Sequence, residues 1–114
     1  MSEPSMPGPP RTYVAFSKRF PEIARAWELL GEAGTHGPLD RKTARLVKIG
    51  ISIAARSEGA THSAVRKALA EGASPDEIHQ VVALAASTIG LPNAVAAFTW
   101  VEDVIGSETN QNRK

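Results

Sequence analysis

The chain contains no cysteine. This absence excludes a disulfide framework, a thiolate metal site, a thiol nucleophile and any C-x-x-C redox chemistry. The chain has three histidines, and they do not show metal-ligand spacing on one predicted element. We therefore expect neither a metal site nor a cofactor.

The chain also lacks an excess of charge of either sign. Lys and Arg total 13 against 12 Asp and Glu, which gives a formal net charge of +1. Such a balance does not favour binding to nucleic acid or to an acidic membrane surface. No apolar run approaches the length of a membrane span, and the N-terminal stretch "MSEPSMPGPPRTY" lacks the apolar core of a signal peptide. We expect a cytoplasmic protein with no nucleic-acid partner and no membrane partner.

Alternating β-branched runs bounded by turn residues are absent as well, so no strand is predicted. The sequence predicts an all-α fold of about five to six helices, and a length of 114 residues suits one domain. Four prolines within residues 1–10, and the apolar-free stretch "SETNQNRK" at residues 107–114, predict disordered ends. The predicted helical domain therefore covers residues 11–106.

Start and stop signals place the helices along this domain. The strongest is Ser74 followed by Pro75 and by Glu77, an S-x-x-E capping box at a helix start. The other predicted helices are "FPEIARAWELLGEAG", a longer helix from Leu39 or Asp40 to about Arg56, one from about Ala60 to Glu71, and one restarting near Pro92.

Three of the predicted helices are apolar on more than one face. The helix that ends near Arg56 leaves only a narrow polar stripe, so we expect protein to surround it almost completely. Its polar positions are Arg45, Lys48, Ser52 and Arg56. Because a small domain encloses only one or two helices, we assign the surplus apolar surface to an obligate homo-oligomer with the last two helices at the interface.

The stretch "AARSEGATHSAVRKAL" contains the main candidate site. Glu58 and His62 are four residues apart, which allows a charged hydrogen bond on one helix and a general acid and base role. Ser57 and Thr61 would donate hydrogen bonds nearby. The alternative is a solvated helix start, with Ser57 as N-cap, Glu58 favoured by the helix dipole and His62 in water.

Basic residues form a second candidate group. Arg45, Lys48 and Arg56 either line a pocket for a carboxylate or phosphate or face solvent, and the sequence leaves both open. His36 and His79 are expected to be solvated.

The segment from Leu39 to Ile105 resembles the core of the carboxymuconolactone decarboxylase family, which includes the alkylhydroperoxidase D-like proteins. The matching features are "D-x-K-T-x-x-L-x-x-x-x-I", then "V-R-K-A-L-x-x-G-A-S-x-x-E-I", then an apolar helix that ends in "IGLPNAVAA". The resemblance implies an all-helical fold and assembly as a dimer, trimer or hexamer.

Peroxidase members of that family carry a C-x-x-C-x-x-x-H motif and a supporting glutamate. In this sequence Ser57 and Ala60 occupy the cysteine positions, Ala64 the histidine position, and Arg45 or a neighbour the glutamate position. Thiol peroxidase activity is therefore not expected, because a thiolate must attack the peroxide. Many decarboxylase members also have a histidine at the position of Ala64, and His62 lies about 200° away on a helix.

The resemblance implies binding or transformation of a small carboxylate or lactone by acid–base chemistry, as in a carboxy-lyase. Glu58 or His62 would move the proton, and the basic residues would hold the carboxylate. The alternative is a non-catalytic helical oligomer that has lost the family chemistry.

Overall fold

A computed structural model describes residues 11–112, with side chains described as far as Ser107, and the regular structure of this part is entirely helical. It contains six helices: α1 (Arg11–Arg19), α2 (Pro21–Ala33), α3 (Arg41–Ala54), α4 (Glu58–Ala70), α5 (Pro75–Ile89) and α6 (Leu91–Asn112). The predicted all-α fold of five to six helices is confirmed. The expectation of disorder in residues 1–10 falls outside the described residues.

The chain divides between Leu39 and Asp40 into two compact units. The single domain over residues 11–106 stays a prediction. In the first unit α1 and α2 pack against each other, and neither helix buries a residue. The sequence analysis did not single out α1 as a helix. Pro21 occupies the first position of α2, as predicted, because its missing N–H would have no partner there.

The second unit consists of α3 to α6, and α3 and α6 each pack against both α4 and α5. Its core is built from aliphatic side chains of all four helices, of which Ile49, Val65, Ile78 and Val101 are fully buried. Burial of such side chains provides the main stabilisation of a helical unit of this size.

Side chains cap the starts of three helices in this unit. Asp40 accepts a 2.7 Å hydrogen bond from the backbone N–H of Thr43, which lowers the pKa of Asp40. The predicted capping box is present: Ser74 Oγ accepts from the Glu77 N–H at 3.0 Å, and Glu77 Oε1 accepts from the Ser74 N–H at 2.9 Å. This reciprocal pair sets the start of α5 where the sequence predicted it.

Protein does not surround α3 in the chain, contrary to the sequence analysis. Val47 and Ile51 are 47% and 58% exposed, whereas Ser52 from the predicted polar stripe is buried. The Ser52 hydroxyl donates to the Lys48 carbonyl at 2.9 Å, which satisfies it inside the protein. The expectation for α3 fails because helices pack on one side of it and leave the opposite side uncovered.

Gly90 separates α5 from α6 with a backbone φ of 88°. The last helix then continues through residues 107–112, which the polar composition had indicated as part of a disordered tail. Its first half contains the apolar residues that pack on the core, so the polar end continues a helix that is already formed. No described helix is both long enough and apolar enough to cross a membrane.

Candidate functional site

The candidate site lies at the start of α4, and the turn before this helix positions its residues. Ser57 is the N-cap, and its Oγ accepts a hydrogen bond of 3.2 Å from the Ala60 N–H. The preceding residue, Arg56, has a φ of 57°, a left-handed conformation that turns the chain sharply between α3 and α4. As a result Glu58 lies in the first turn of α4, two residues earlier than the predicted helix start.

Glu58 and His62 then lie one turn apart on α4, as their spacing predicted. His62 Nε2 is 4.0 Å from Glu58 Oε2 and 3.1 Å from Asp103 Oδ2, which α6 contributes. His62 is the most protected of the three, with 24% of its side chain exposed, against 59% for Glu58 and 51% for Asp103. The structure thus places two carboxylates at the Nε2 atom of one imidazole, at a surface open to solvent.

Asp103 was missed by the sequence analysis because it lies 41 residues after His62. The available signal was a pair of acidic residues, Glu102 and Asp103, inside an otherwise apolar stretch of the last helix. Only the packing of α6 against α4 shows which histidine this carboxylate meets.

This cluster has the composition of a proton-transfer site. A carboxylate that accepts a hydrogen bond from an imidazole fixes the ring and stabilises its protonated form. One carboxylate oxygen each from Glu58 and Asp103 and one ring nitrogen of His62 all lie within 4.8 Å of one another, a spacing at which they could share a cation. The hydrogen bond between His62 and Asp103 accounts for that proximity without an ion.

The two hydroxyl residues of the predicted site have local partners. Thr61 is fully buried, and its hydroxyl donates to the Ser57 carbonyl at 2.8 Å. Ser57 is half-buried, and its Oγ caps α4. Both residues therefore stabilise the start of the helix that carries Glu58 and His62, while their contact with a substrate stays a prediction.

The basic residues of the predicted site do not form one group. Arg56 is exposed and directly precedes the N-cap of α4, whereas Arg45 and Lys48 lie within α3. Arg45 and Lys48 are close enough to Lys67 of α4 to lower its pKa, together with Arg66, although burial is the largest cause of that shift. Lys67 follows His62 by five residues, which corresponds to about 140° around a helix. The imidazole cluster and these α3 cations therefore lie on different flanks of α4.

His79 is not fully solvated, which corrects the sequence analysis. It is half-buried, its Nε2 lies 2.5 Å from Glu102 Oε1, and its ring centroid lies 5.4 Å from that of Phe98. This second imidazole–carboxylate pair joins α5 to α6. His36, which was also expected to be solvated, is exposed.

A groove of about 570 Å³ lies between α3 and α5. It is lined mainly by apolar residues, among them Leu46, Val47, Val81 and Leu84. None of the predicted site residues lines it.

Comparisons with known proteins agree with this fold. The model of the carboxymuconolactone decarboxylase family matches residues 21–103. The structure also matches the crystal structure of a carboxymuconolactone decarboxylase family protein from Thermotoga maritima, for which involvement in an antioxidative response has been suggested. That match has a TM-score of 0.64 and 25% sequence identity, and it covers 78% of this chain and 95% of the other. No curated protein matches the chain significantly.

Proposed function

The chain belongs to the carboxymuconolactone decarboxylase family, and from that premise we propose that it binds a small organic acid or lactone and transforms it by proton transfer. The observation that supports this proposal most directly is the contact of His62 Nε2 with two carboxylates, at 3.1 Å from Asp103 and 4.0 Å from Glu58. Side chains in this arrangement can exchange a proton with a bound substrate.

In a decarboxylation the bond between the substrate carbon and its carboxylate breaks, and carbon dioxide leaves. The electron pair of that bond remains on the substrate as an enolate, which must then take up a proton at carbon. His62 gives this proton from Nδ1, because its Nε2 contacts Asp103, which fixes the orientation of the ring. Glu58 is close enough to return a proton to the ring from solvent.

Arg56 is the basic residue next to the start of α4, so it is the best placed to hold a carboxylate near this cluster. Arg45 and Lys48 belong to α3, whereas His62 belongs to α4. They would contact the same substrate only if it reached across α4. Ser57 and Thr61 would serve mainly by fixing the helix start beneath the substrate.

The test begins with a thermal-shift screen of small β-keto acids and lactone acids. A ligand at about one hundred times its dissociation constant adds about 2.7 kcal/mol to the free energy of unfolding, which such a screen detects. Release of carbon dioxide from each hit is then measured with the wild-type protein and with Glu58→Gln, His62→Ala and Asp103→Asn.

We expect His62→Ala to lower turnover at least about a hundredfold, as expected for loss of a general acid. His79→Ala is the matched control, because it removes an imidazole that also contacts a carboxylate of α6. Unchanged turnover in both Glu58→Gln and His62→Ala would show that these residues do not carry the reaction. A peroxide-consumption assay should give no signal, because a chain without cysteine has no thiolate to attack peroxide.

A second candidate is a non-catalytic helical oligomer, and the exposed apolar surface favours it. Leu84 of α5 and Leu91, Val95 and Phe98 of α6 are between 45% and 71% exposed. We propose that these two helices form an interface between copies of the chain, since large apolar patches mark association surfaces. Light scattering at micromolar concentration tests this, and a monomeric mass would contradict it. An oligomer that binds no member of the acid screen would favour the scaffold over the enzyme.

A further inference from the structure

The first unit has no core of its own. Its helices α1 and α2 contact each other, but neither buries a residue. The unit ends at Leu39 and is therefore shorter than about 40 residues, a length at which stability normally requires disulfides, metals or oligomerisation. The chain contains no cysteine for a disulfide. The apolar side chains of this unit therefore need cover from outside it.

The uncovered side chains of α2 form one stripe. Ile23, Trp27 and Leu30 recur at i, i+4 and i+7, the spacing that puts side chains on one face of a helix. They are between 49% and 67% exposed. A helix with such a face binds by laying it into an apolar groove of a partner. We name these three residues the α2 stripe.

The groove between α3 and α5 has the shape that such a stripe requires. Its lining follows α3 from Thr43 to Ala54, which corresponds to about 16 Å of helix. The 13 residues of α2 extend over about 20 Å. Val47 of α3 and Leu84 of α5 line the groove and are both exposed. The groove is thus open, apolar and long enough to receive the α2 stripe.

Charge favours the same pairing. α2 contains three glutamates and one arginine, a net charge of −2, whereas α3 contains four basic residues and no acidic one. Lys48 lies about 60° around α3 from the exposed Ile51, so it borders the apolar side of that helix. Among the side chains described up to Ser107, Lys48 has no carboxylate within 4.0 Å. Glu28 follows Trp27 at the edge of the α2 stripe, so docking can bring a carboxylate to this ammonium.

We propose that the α2 stripe of one copy of this protein docks into the α3–α5 groove of a second copy. Both surfaces are exposed in the single chain, so a second copy has to supply the cover. The exchange can be reciprocal, in which case two copies cover two grooves. This inference rests on the association of copies that the second candidate function includes, but it uses another surface than Leu91, Val95 and Phe98.

Chemical cross-linking tests this docking directly, because every cysteine in the experiment is one that was introduced. Leu30→Cys is prepared in the full chain, and Val47→Cys is prepared in the full chain labelled with a heavy nitrogen isotope. The two proteins are mixed at micromolar concentration and treated with a short bismaleimide, whose spacer tolerates a shift in register. Intact-mass spectrometry then identifies the mixed dimer by its intermediate mass.

We expect the mixed dimer to form at least about tenfold faster than with a control pair, because docking raises the effective concentration of one thiol near the other. In the control pair Leu29→Cys replaces Leu30→Cys. Leu29 is 52% exposed but lies about 100° from Leu30 and about 160° from Trp27 around α2, so it should point away from the groove. Trp27→Asp in the Leu30→Cys chain should remove the excess.

Three outcomes would overturn the proposal. Equal rates for the two pairs would show that the α2 stripe has no preference for the groove. With Leu30→Cys and Val47→Cys in one molecule, a product confined to single chains would show that each groove holds its own α2. An excess that persists in a Trp27→Asp chain with an unchanged circular dichroism spectrum would show that the stripe does not hold the copies together.

Phe98→Asp separates this docking from the proposed interface of α5 and α6. The excess of mixed dimer should persist in that background, because Phe98 belongs to neither the α2 stripe nor the groove. Its loss there would contradict a separate docking site. An oligomeric wild type that forms no excess of mixed dimer would contradict the docking of α2 and leave the α5–α6 interface standing.

Discussion

His62 Nε2 lies 3.1 Å from Asp103 Oδ2, so one imidazole–carboxylate contact joins α4 to α6 across 41 residues of sequence. The contact is partly exposed, since half of the Asp103 side chain is open to solvent. It therefore contributes more to the position of the imidazole than to the stability of the fold. The same contact positions the ring that we propose as the proton donor.

A double-mutant cycle measures the strength of this contact. We expect His62→Ala and Asp103→Ala to show a coupling free energy of about 0.2–1 kcal/mol, the range of solvent-exposed ion pairs. Urea denaturation of the wild type, both single variants and the double variant provides the four values. His79→Ala combined with Asp103→Ala is the control, and these two changes should be additive. A coupling no larger than that of the control pair would show that the contact is not formed in solution.

The capping box of α5 allows a second prediction. Ser74→Ala removes the acceptor of the Glu77 N–H, and we expect it to lower the free energy of unfolding by about 1 kcal/mol. For a domain of this size that corresponds to a decrease in Tm of about 4–8 °C. Calorimetry should show a much smaller effect for Ser87→Ala, because the Ser87 hydroxyl is exposed and makes only a 3.3 Å bond to the Leu84 carbonyl. Equal decreases in the two variants would contradict the capping role.

Glu77 should make stability depend on pH in the acidic range. The backbone N–H of Ser74 and the ammonium of Lys42 hold the pKa of Glu77 below its ordinary value of 4.5. Because the folded-state pKa is the lower one, the stabilisation is complete above the ordinary value. It is lost as the pH falls through the folded-state value.

Glu77→Gln is the variant that tests this pH dependence. The difference in the free energy of unfolding between wild type and Glu77→Gln should be largest near neutral pH and should shrink below about pH 4. Urea titrations at a series of pH values measure this difference. Asp76→Asn is the control, since Asp76 is an exposed acidic residue of the same helix turn. A difference that stayed constant down to the acid range would contradict the assignment to Glu77.

Local rules were enough to predict much of the fold. The sequence predicted α5 to begin after the Ser74 cap and α2 to begin with Pro21, because those signals act over three or four residues. The exposed side of α3 was not predictable in the same way. Whether Val47 and Ile51 are covered depends on how many helices pack around α3, and sequence periodicity does not report that number.

The candidate site shows the same division between local and long-range information. The proximity of Glu58 and His62 follows from their spacing on one helix. The contact with Asp103 and the separation of Arg45 from the imidazole depend on which flank of α4 meets α6 and which meets α3. Those relationships arise only from tertiary packing.

Gly90 is a position in the second unit that should tolerate substitution poorly on conformational grounds. Its φ of 88° and ψ of 157° lie in a region that is almost restricted to glycine. An added Cβ at Gly90 would meet no atom within 4 Å, so steric contact with neighbours does not contribute. We expect Gly90→Ala to lower the free energy of unfolding by about 1–3 kcal/mol through backbone strain alone.

Gly59→Ala is the control, because that glycine lies within α4, also has open space around it, and lacks a positive φ. Alanine is favoured over glycine inside a helix, so Gly59→Ala should leave the free energy of unfolding unaltered or raise it by up to about 1 kcal/mol. Chemical denaturation distinguishes the two variants by the sign of the change in the free energy of unfolding. A Gly90→Ala protein as stable as the wild type would show that the α5–α6 junction adopts another conformation in solution.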